Sequence, residues 1–337
     1  MRPGSPGIAG LAIACAAFTS LCARAAVASE CSGDVSPCIN DDTLWPHAGP
    51  SHFFAVGGSE TTGPGQLGFA LQASYLSRPI VLQLTSPGGG SRAYVINDQA
   101  NGTFLWSYGV GRRLELDMAL PLTFGQGGTG LAPVSGGPGL KDTAVRDMRF
   151  GFAYALVRKA RAPQQAEERT WGLAGRFEVS APTGDRDQFA GERSGVFVPS
   201  LAADVKLGRF FGAAEAGARI RPITELLGAR VGTQLLGAIG VGFNLMPDER
   251  LSAALEAWAL PTLATQSGSS SGGAPLVPAE WQLSLRTSPL ASRELSVQVG
   301  GGGALDNSLT TPQVRFTLSI RWTPSARPAA VLIAPPP

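Results

Sequence analysis

From residue 66 onward the chain alternates. Apolar and polar side chains take turns along stretches of about ten residues, the period of two that places successive side chains on opposite faces of a β-strand. Leu67, Phe69, Leu71, Ala73 and Tyr75 share one face of the first stretch, with Gln66, Gln72 and Ser74 on the other. Leu114, Leu116, Met118, Leu120 and Leu122 oppose Glu115 and Asp117. Leu251, Ala253, Leu255, Ala257 and Ala259 oppose Ser252 and Glu256, and Val314, Phe316, Leu318, Ile320 and Trp322 oppose Arg315 and Arg321. Twelve such stretches are predicted, over 66–76, 103–110, 114–122, 147–156, 171–180, 197–207, 210–221, 231–245, 251–259, 280–286, 294–299 and 313–322. Helical periodicity is nearly absent.

Two all-β architectures alternate in this way, a β-sandwich and a transmembrane antiparallel up-and-down β-barrel. Three features favour the barrel. The apolar faces carry no charge, as a lipid-facing surface requires. The connections alternate in length: 109–113, 208–209, 246–250 and 288–293 are short, whereas 124–143, 182–194 and 262–279 are long. The connection 159–169 departs from this rule. Aromatic residues collect on the apolar face near the short-turn end, at Tyr108, Tyr154, Trp171, Phe210, Phe243 and Trp322. Such a ring at one depth is an interfacial girdle. The fold class expected is therefore an outer-membrane barrel of about 12 strands over 66–322.

The ends of the chain read differently. Residues 1–29 carry Arg2, an apolar run from Ile8 to Phe18 and a small-residue zone, Ala25-Ala26-Val27-Ala28-Ser29. That is the form of a cleaved signal peptide. The run is too short to span a bilayer as a helix, and no later run approaches 18 residues. Export would leave Cys31 and Cys38 as the cysteines of the mature chain, so a disulfide is expected between them. They lie in a pre-barrel segment, 30–65, rich in Gly and Pro. It is expected to be either a periplasmic lead-in or a plug within the lumen. Residues 323–337 form a Pro-rich tail, expected to be disordered.

The polar faces hold the candidate chemistry. Facing the lumen are expected Glu115, Asp117, Asp147, Arg149, Arg176, Glu178, Asp204, Lys206, Glu215, Arg219, Glu256, Glu280, Arg286 and Arg315, with Arg221 and Arg321 beside them. The signs balance. Asp117 lies in the strand beside Arg149, and Glu178 in the strand beside Lys206. Charges inside a barrel must be paired or wet. A mixed network would narrow the lumen, whereas acids and bases on opposite walls would set a field across a pore.

Composition removes several functions. The chain has 27 basic and 25 acidic residues in 337, with only three Lys and no basic stripe, so nucleic acid is not an expected partner. The two His, His47 and His52, both precede the barrel. A barrel without His offers no proton shuttle for an esterase-like site, and no catalytic residue is assigned. No metal or cofactor is expected either. The pair of His lacks an organised zinc spacing, the Gly-rich stretches 63–65 and 300–303 are followed by no Lys-Ser/Thr, and 182–187 lacks the Glu of a calcium loop. The expected partners are the lipid bilayer and the barrel-assembly machinery. The pattern does not set an oligomeric state.

Several short motifs carry a resemblance: Ser77-Arg78-Pro79-Ile80-Val81, Arg113-Leu114-Glu115-Leu116 with Leu120-Pro121, Asp147-Met148-Arg149-Phe150-Gly151, Ser180-Ala181-Pro182-Thr183-Gly184-Asp185 and Thr311-Pro312-Gln313-Val314-Arg315-Phe316. Together, over about 40–322, they resemble the N-terminal barrels of myxobacterial-type OmpA-family proteins. More loosely, they resemble the outer-membrane channel family associated with phenol meta-cleavage pathways. The resemblance implies an outer-membrane barrel and transfers no catalytic residue. The stretch after Trp322 is not expected to form an OmpA-type periplasmic domain, so cell-wall anchoring is not carried over. The expected function is a passive, porin-like channel for small solutes in a Gram-negative outer membrane. The alternative is a closed barrel with a structural or surface-interaction role.

Overall fold

The computed structural model describes residue 31 and residues 35–83, 90, 92–136, 139–158, 170–266, 275–290, 294–306 and 308–324. The expected export signal, the connection 159–169 and all but the first two residues of the tail lie outside the described residues.

Twelve strands close into one antiparallel barrel. In chain order they are β1 (Leu67–Gln83), β2 (Arg92–Gly109), β3 (Leu114–Gly127), β4 (Arg149–Val157), β5 (Trp171–Ser180) and β6 (Val196–Leu207). There follow β7 (Phe210–Arg219), β8 (Gln234–Asn244), β9 (Leu251–Ala259), β10 (Ala279–Thr287), β11 (Leu295–Ala304) and β12 (Val314–Trp322). Each pairs with its neighbours in the chain, and β12 closes the ring on β1 with Phe69 opposite Trp322. Closure leaves the ring without an unpaired edge, the condition for backbone to cross hydrocarbon.

The barrel is inside-out relative to a soluble protein. On β9, Leu255 is 46% exposed while the next residue, Glu256, is 1% exposed. On β12, Phe316 is 58% exposed beside a fully buried Arg315. A sandwich would bury the leucine and expose the glutamate, so the parity decides between the two architectures. All six aromatic residues of the expected girdle point outward near the short-turn end. Phe69 stacks on Trp322 there, with ring centroids 5.9 Å apart, and Phe210 meets Phe243 at 4.9 Å.

The first hairpin departs from the sequence pattern. β1 and β2 run 17 and 18 residues, well past the expected ends at 76 and 103. The register shifts between Ser77 and Ile80, where Arg78 takes φ +51°. With Leu76, Ile80 and Leu82 buried on β1 and Ala93 and Val95 on β2, inward positions keep their parity, but here the inward face is apolar, so the apolar/polar contrast that marks a period of two is lost past this shift. Beyond it, Ile80, Val95 and Ile96 are fully buried, packed with Leu131, Phe189, Leu226 and Val231 of the long connections in an apolar cap over that end. The Gly run 300–303, beyond the expected strand end at 299, lies inside β11.

Candidate functional site

The lumen is occupied by the chain's own pre-barrel segment. At the long-loop end Cys31 and Cys38 form a disulfide, with Cα atoms 5.6 Å apart. Ser36 N donates to Glu225 O at 3.0 Å, and Ile39 joins the apolar cap. Residues 41–49 are all buried. At the short-turn end Gly65 N donates to Gly109 O at 2.7 Å and the chain enters β1. Pro37, Pro46, Pro50 and Gly49 (φ +75°) keep this segment from forming a strand or helix. Its backbone groups therefore need side-chain partners on the barrel wall.

The half nearer the long loops is gripped through its side chains. Asp41 Oδ1 lies 2.6 Å from Arg146 Nη2, and Asp42 Oδ1 lies 2.9 Å from Arg315 Nη2. Arg315 Nε also meets Glu280 Oε2 at 2.8 Å, so one guanidinium bridges the segment's Asp42 and the wall's Glu280. Gln99 and Asn101 of β2 donate to Asp41 and Asp42 at 2.7 and 2.9 Å. Thr43 Oγ1 donates to Glu280. Trp45 sits between two cations, 4.9 Å from Arg149 and 4.4 Å from Arg219. His47 Nδ1 lies 2.7 Å from Glu178 and Nε2 3.0 Å from Glu215. Carboxylates only accept, so both ring nitrogens carry protons and the ring is an imidazolium.

The other half is gripped through its main chain. Phe54 N and Ala55 N donate to the two oxygens of Glu256 at 3.0 and 2.8 Å. Gly57 N donates to Glu215 at 2.8 Å, Ser59 N to Asp204 at 3.2 Å and Thr62 N to Glu115 at 2.5 Å. Inward-facing glycines make room. A Cβ at Gly240 would strike the Phe53 ring, and one at Gly300 would come within 2.9 Å of Phe54.

These contacts place the sequence-predicted residues and correct three of them. Arg149 pairs with Glu178 at 3.3 Å, and Arg176 lies 3.7 Å from Asp117, so Asp117 is partnered by Arg176 rather than by Arg149. Lys206 does not reach Glu178. It pairs with Glu249 in the β8–β9 turn, at the short-turn mouth, because it is the second-last residue of β6. Asp147 is not on a strand. It sits before β4 and accepts from Gly184 N and Glu192 N, both at 2.7 Å, pinning the long connection 181–195. Burial pushes the Asp147 carboxyl up, to about 7, against the Glu192 and Gly184 N–H groups, which pull it down. The strands carry no His, but His47 enters the lumen with the segment. Asp41, Asp42 and Arg146 were not anticipated. Their only sequence signal was an acidic pair within a Pro- and Gly-rich stretch. The two signs are intermixed along the wall, as a network and not as opposed faces.

A cavity of about 260 Å³ remains beside the segment at the short-turn end, lined by His52, Phe53, Phe211, Lys206, Glu249 and Arg286 among others. Arg286 Nη1 donates to His52 Nδ1 at 2.9 Å. Higher in the lumen, a space between Trp45, His47, Glu178 and Arg219 measures about 20 Å³, room for about one water. Among the described residues, no group of His, Cys, Asp and Glu is arranged to hold a metal ion.

No family model matches this chain, and no curated protein matches it in sequence. Solved structures do. The chain is similar to the COG4313 outer membrane channel from Pseudomonas putida F1, at 14% identity and TM-score 0.52, over 78% of this chain and 97% of that one. Weaker likenesses are to the KdgM porin (7% identity, TM-score 0.42, 77% of this chain and 99% of that one) and to outer membrane phospholipase A from Escherichia coli (10%, 0.37, 86% and 98%). The first of these agrees with the looser, channel-type resemblance in the sequence. It shows the fold: a twelve-stranded barrel of the outer-membrane type.

Proposed function

We propose that this chain is a porin-like channel of the outer membrane that passes small solutes by diffusion and is occluded by its own segment 35–66. The observation that supports this most is where the wall charges find their partners. Glu115 and Glu256 accept from the segment's main chain, and Arg219 Nη2 donates to Thr43 O at 2.8 Å. Withdrawing the segment leaves these groups facing a bore that only water or a polar solute can satisfy. A second satisfied state is thus available to the lumen. An apolar plug would offer none.

Export behind residues 1–29, assembly into a lipid bilayer by the barrel-assembly machinery, and kinship with the OmpA-family barrels belong to the same proposal. The role is not catalytic. Both nitrogens of His47 are engaged by carboxylates, so the ring holds no free lone pair with which to accept a proton.

The test is single-channel conductance of the refolded protein in a planar bilayer, with and without residues 31–63. A small or intermittent current in the full chain and a large steady one after deletion is expected. Silence in both forms, with the deleted form folded, assigns the barrel to a structural or surface role.

A further inference from the structure

The wall contacts in the lumen have a chemical pattern. Glu115, Asp204, Glu215 and Glu256 accept from main-chain N–H groups of the segment. Arg149, Arg176, Arg219 and Arg321 donate to its main-chain carbonyls, at Pro46 (3.2 Å), Gly58 (3.4 Å), Thr43 (2.8 Å) and His47 (3.3 Å). The wall therefore offers carboxyl acceptors where an irregular chain presents donors, and guanidinium donors where it presents acceptors. Each of these contacts is made to a main-chain atom, although Ser59 Oγ also donates to Asp204 and a Cβ at Gly57 would come within 2.9 Å of Glu215. Bonds of this charge-assisted kind are the strong ones. The hollows at Gly240 and Gly300, which hold the rings of Phe53 and Phe54, leave room for bulky side chains between the bonded backbone groups.

We infer that the vacated lumen is a binding path for short peptides: oligopeptides in an extended or irregular conformation are the solute class this wall is built to hold. This rests on the channel role proposed above. The segment occupies the path as an internal peptide, and a permeating peptide takes over its N–H and carbonyl partners.

The test uses two isomers of equal mass, penta-alanine and pentasarcosine. The nitrogens linking the residues carry hydrogen in the first and methyl in the second, so the second lacks the amide donors that the wall carboxylates require. Each is added to the full-length variant His47→Gln, whose segment is loosened, in a planar bilayer. Asp42→Asn serves in its place should His47→Gln fail to show the heat-modifiable gel mobility of a folded barrel. Penta-alanine is expected to half-block the current at a concentration at least about tenfold lower, equivalent to about 1.4 kcal/mol. Equal block by the two, or no block by either in a conducting channel, overturns the inference and leaves the channel role standing. No current in either variant, when protease cleavage within 40–62 shows that the segment has left the lumen, removes the channel role and this inference with it.

Discussion

The two halves of the luminal segment are held with different emphasis. Residues 41–47 add side-chain ion pairs to the carbonyl contacts of Thr43, Pro46 and His47, with Asp41 on Arg146, Asp42 on Arg315 and the His47 ring across Glu178 and Glu215. Residues 54–62 are gripped through backbone N–H groups, on Glu256, Glu215, Asp204 and Glu115. The first half carries the information that sets the segment's register in the barrel. The second half is held mainly at its main chain, with Ser59 Oγ on Asp204 and Thr62 Oγ1 on Ser107 as added side-chain contacts. A ligand competing for the lumen meets a selective region toward the long loops and a permissive one toward the short turns.

The largest break in this comparison should come from the selective half. Arg315→Ala leaves Asp42 and Glu280 buried without their shared cation, and removing one partner of a buried ion pair costs about 3–5 kcal/mol. A lower unfolding temperature in heat-modifiable gel migration, together with protease cleavage inside 40–62, is the expected outcome. A barrel as stable as the parent would show that the segment is held elsewhere.

A smaller effect separates backbone from side chain in the permissive half. Ala55→Pro deletes the N–H that meets Glu256, whereas Ala55→Ser keeps it. Losing a hydrogen bond to a charged group costs about 1.5–3 kcal/mol. The serine variant should cost about 0.5 kcal/mol or less. Denaturant unfolding of the two variants measures the difference, and equal costs would refute main-chain recognition there.

A third effect is read in pH, at the long-loop end where Asp147 holds the connection 181–195. Asp147, held at about 7 when folded against an ordinary 3.8, binds its proton more tightly in the folded state. Its ionisation therefore costs stability, progressively from about pH 4 to about pH 7 and fully above. Asp147→Asn should flatten this part of the pH dependence. The parent should lose more than the variant between pH 5 and pH 8 in thermal midpoint, and an unchanged difference would place the titration elsewhere.

Much of the barrel was legible because lipid on one face and a polar lumen on the other impose a strict period of two on each strand. β9 and β12 run over the residues that the pattern marks, 251–259 for the one and all but the first of 313–322 for the other. The extension of β1 and β2 was hidden, because beyond Ser77 the inward residues Ile80, Leu82, Ala93 and Val95 are apolar and pack under the cap, so apolar and polar positions no longer alternate. Ion-pair partners were legible only as neighbouring strands. Tilt and register decided that Arg176 lies near Asp117, and that Lys206 reaches a turn and not Glu178.

The luminal segment marks the boundary between what sequence and structure each determine. By itself the sequence determined twelve amphipathic strands, their inward and outward faces, the aromatic girdle and the expected Cys31–Cys38 bridge, since each follows from local spacing and from the solvent each face meets. Only the tertiary structure decided where residues 35–66 go. A Pro- and Gly-rich stretch has no period to read, and the partners of His47 lie 131 and 168 residues away along the chain. Those carboxylates converge on one imidazole only once the ring of strands has closed around it.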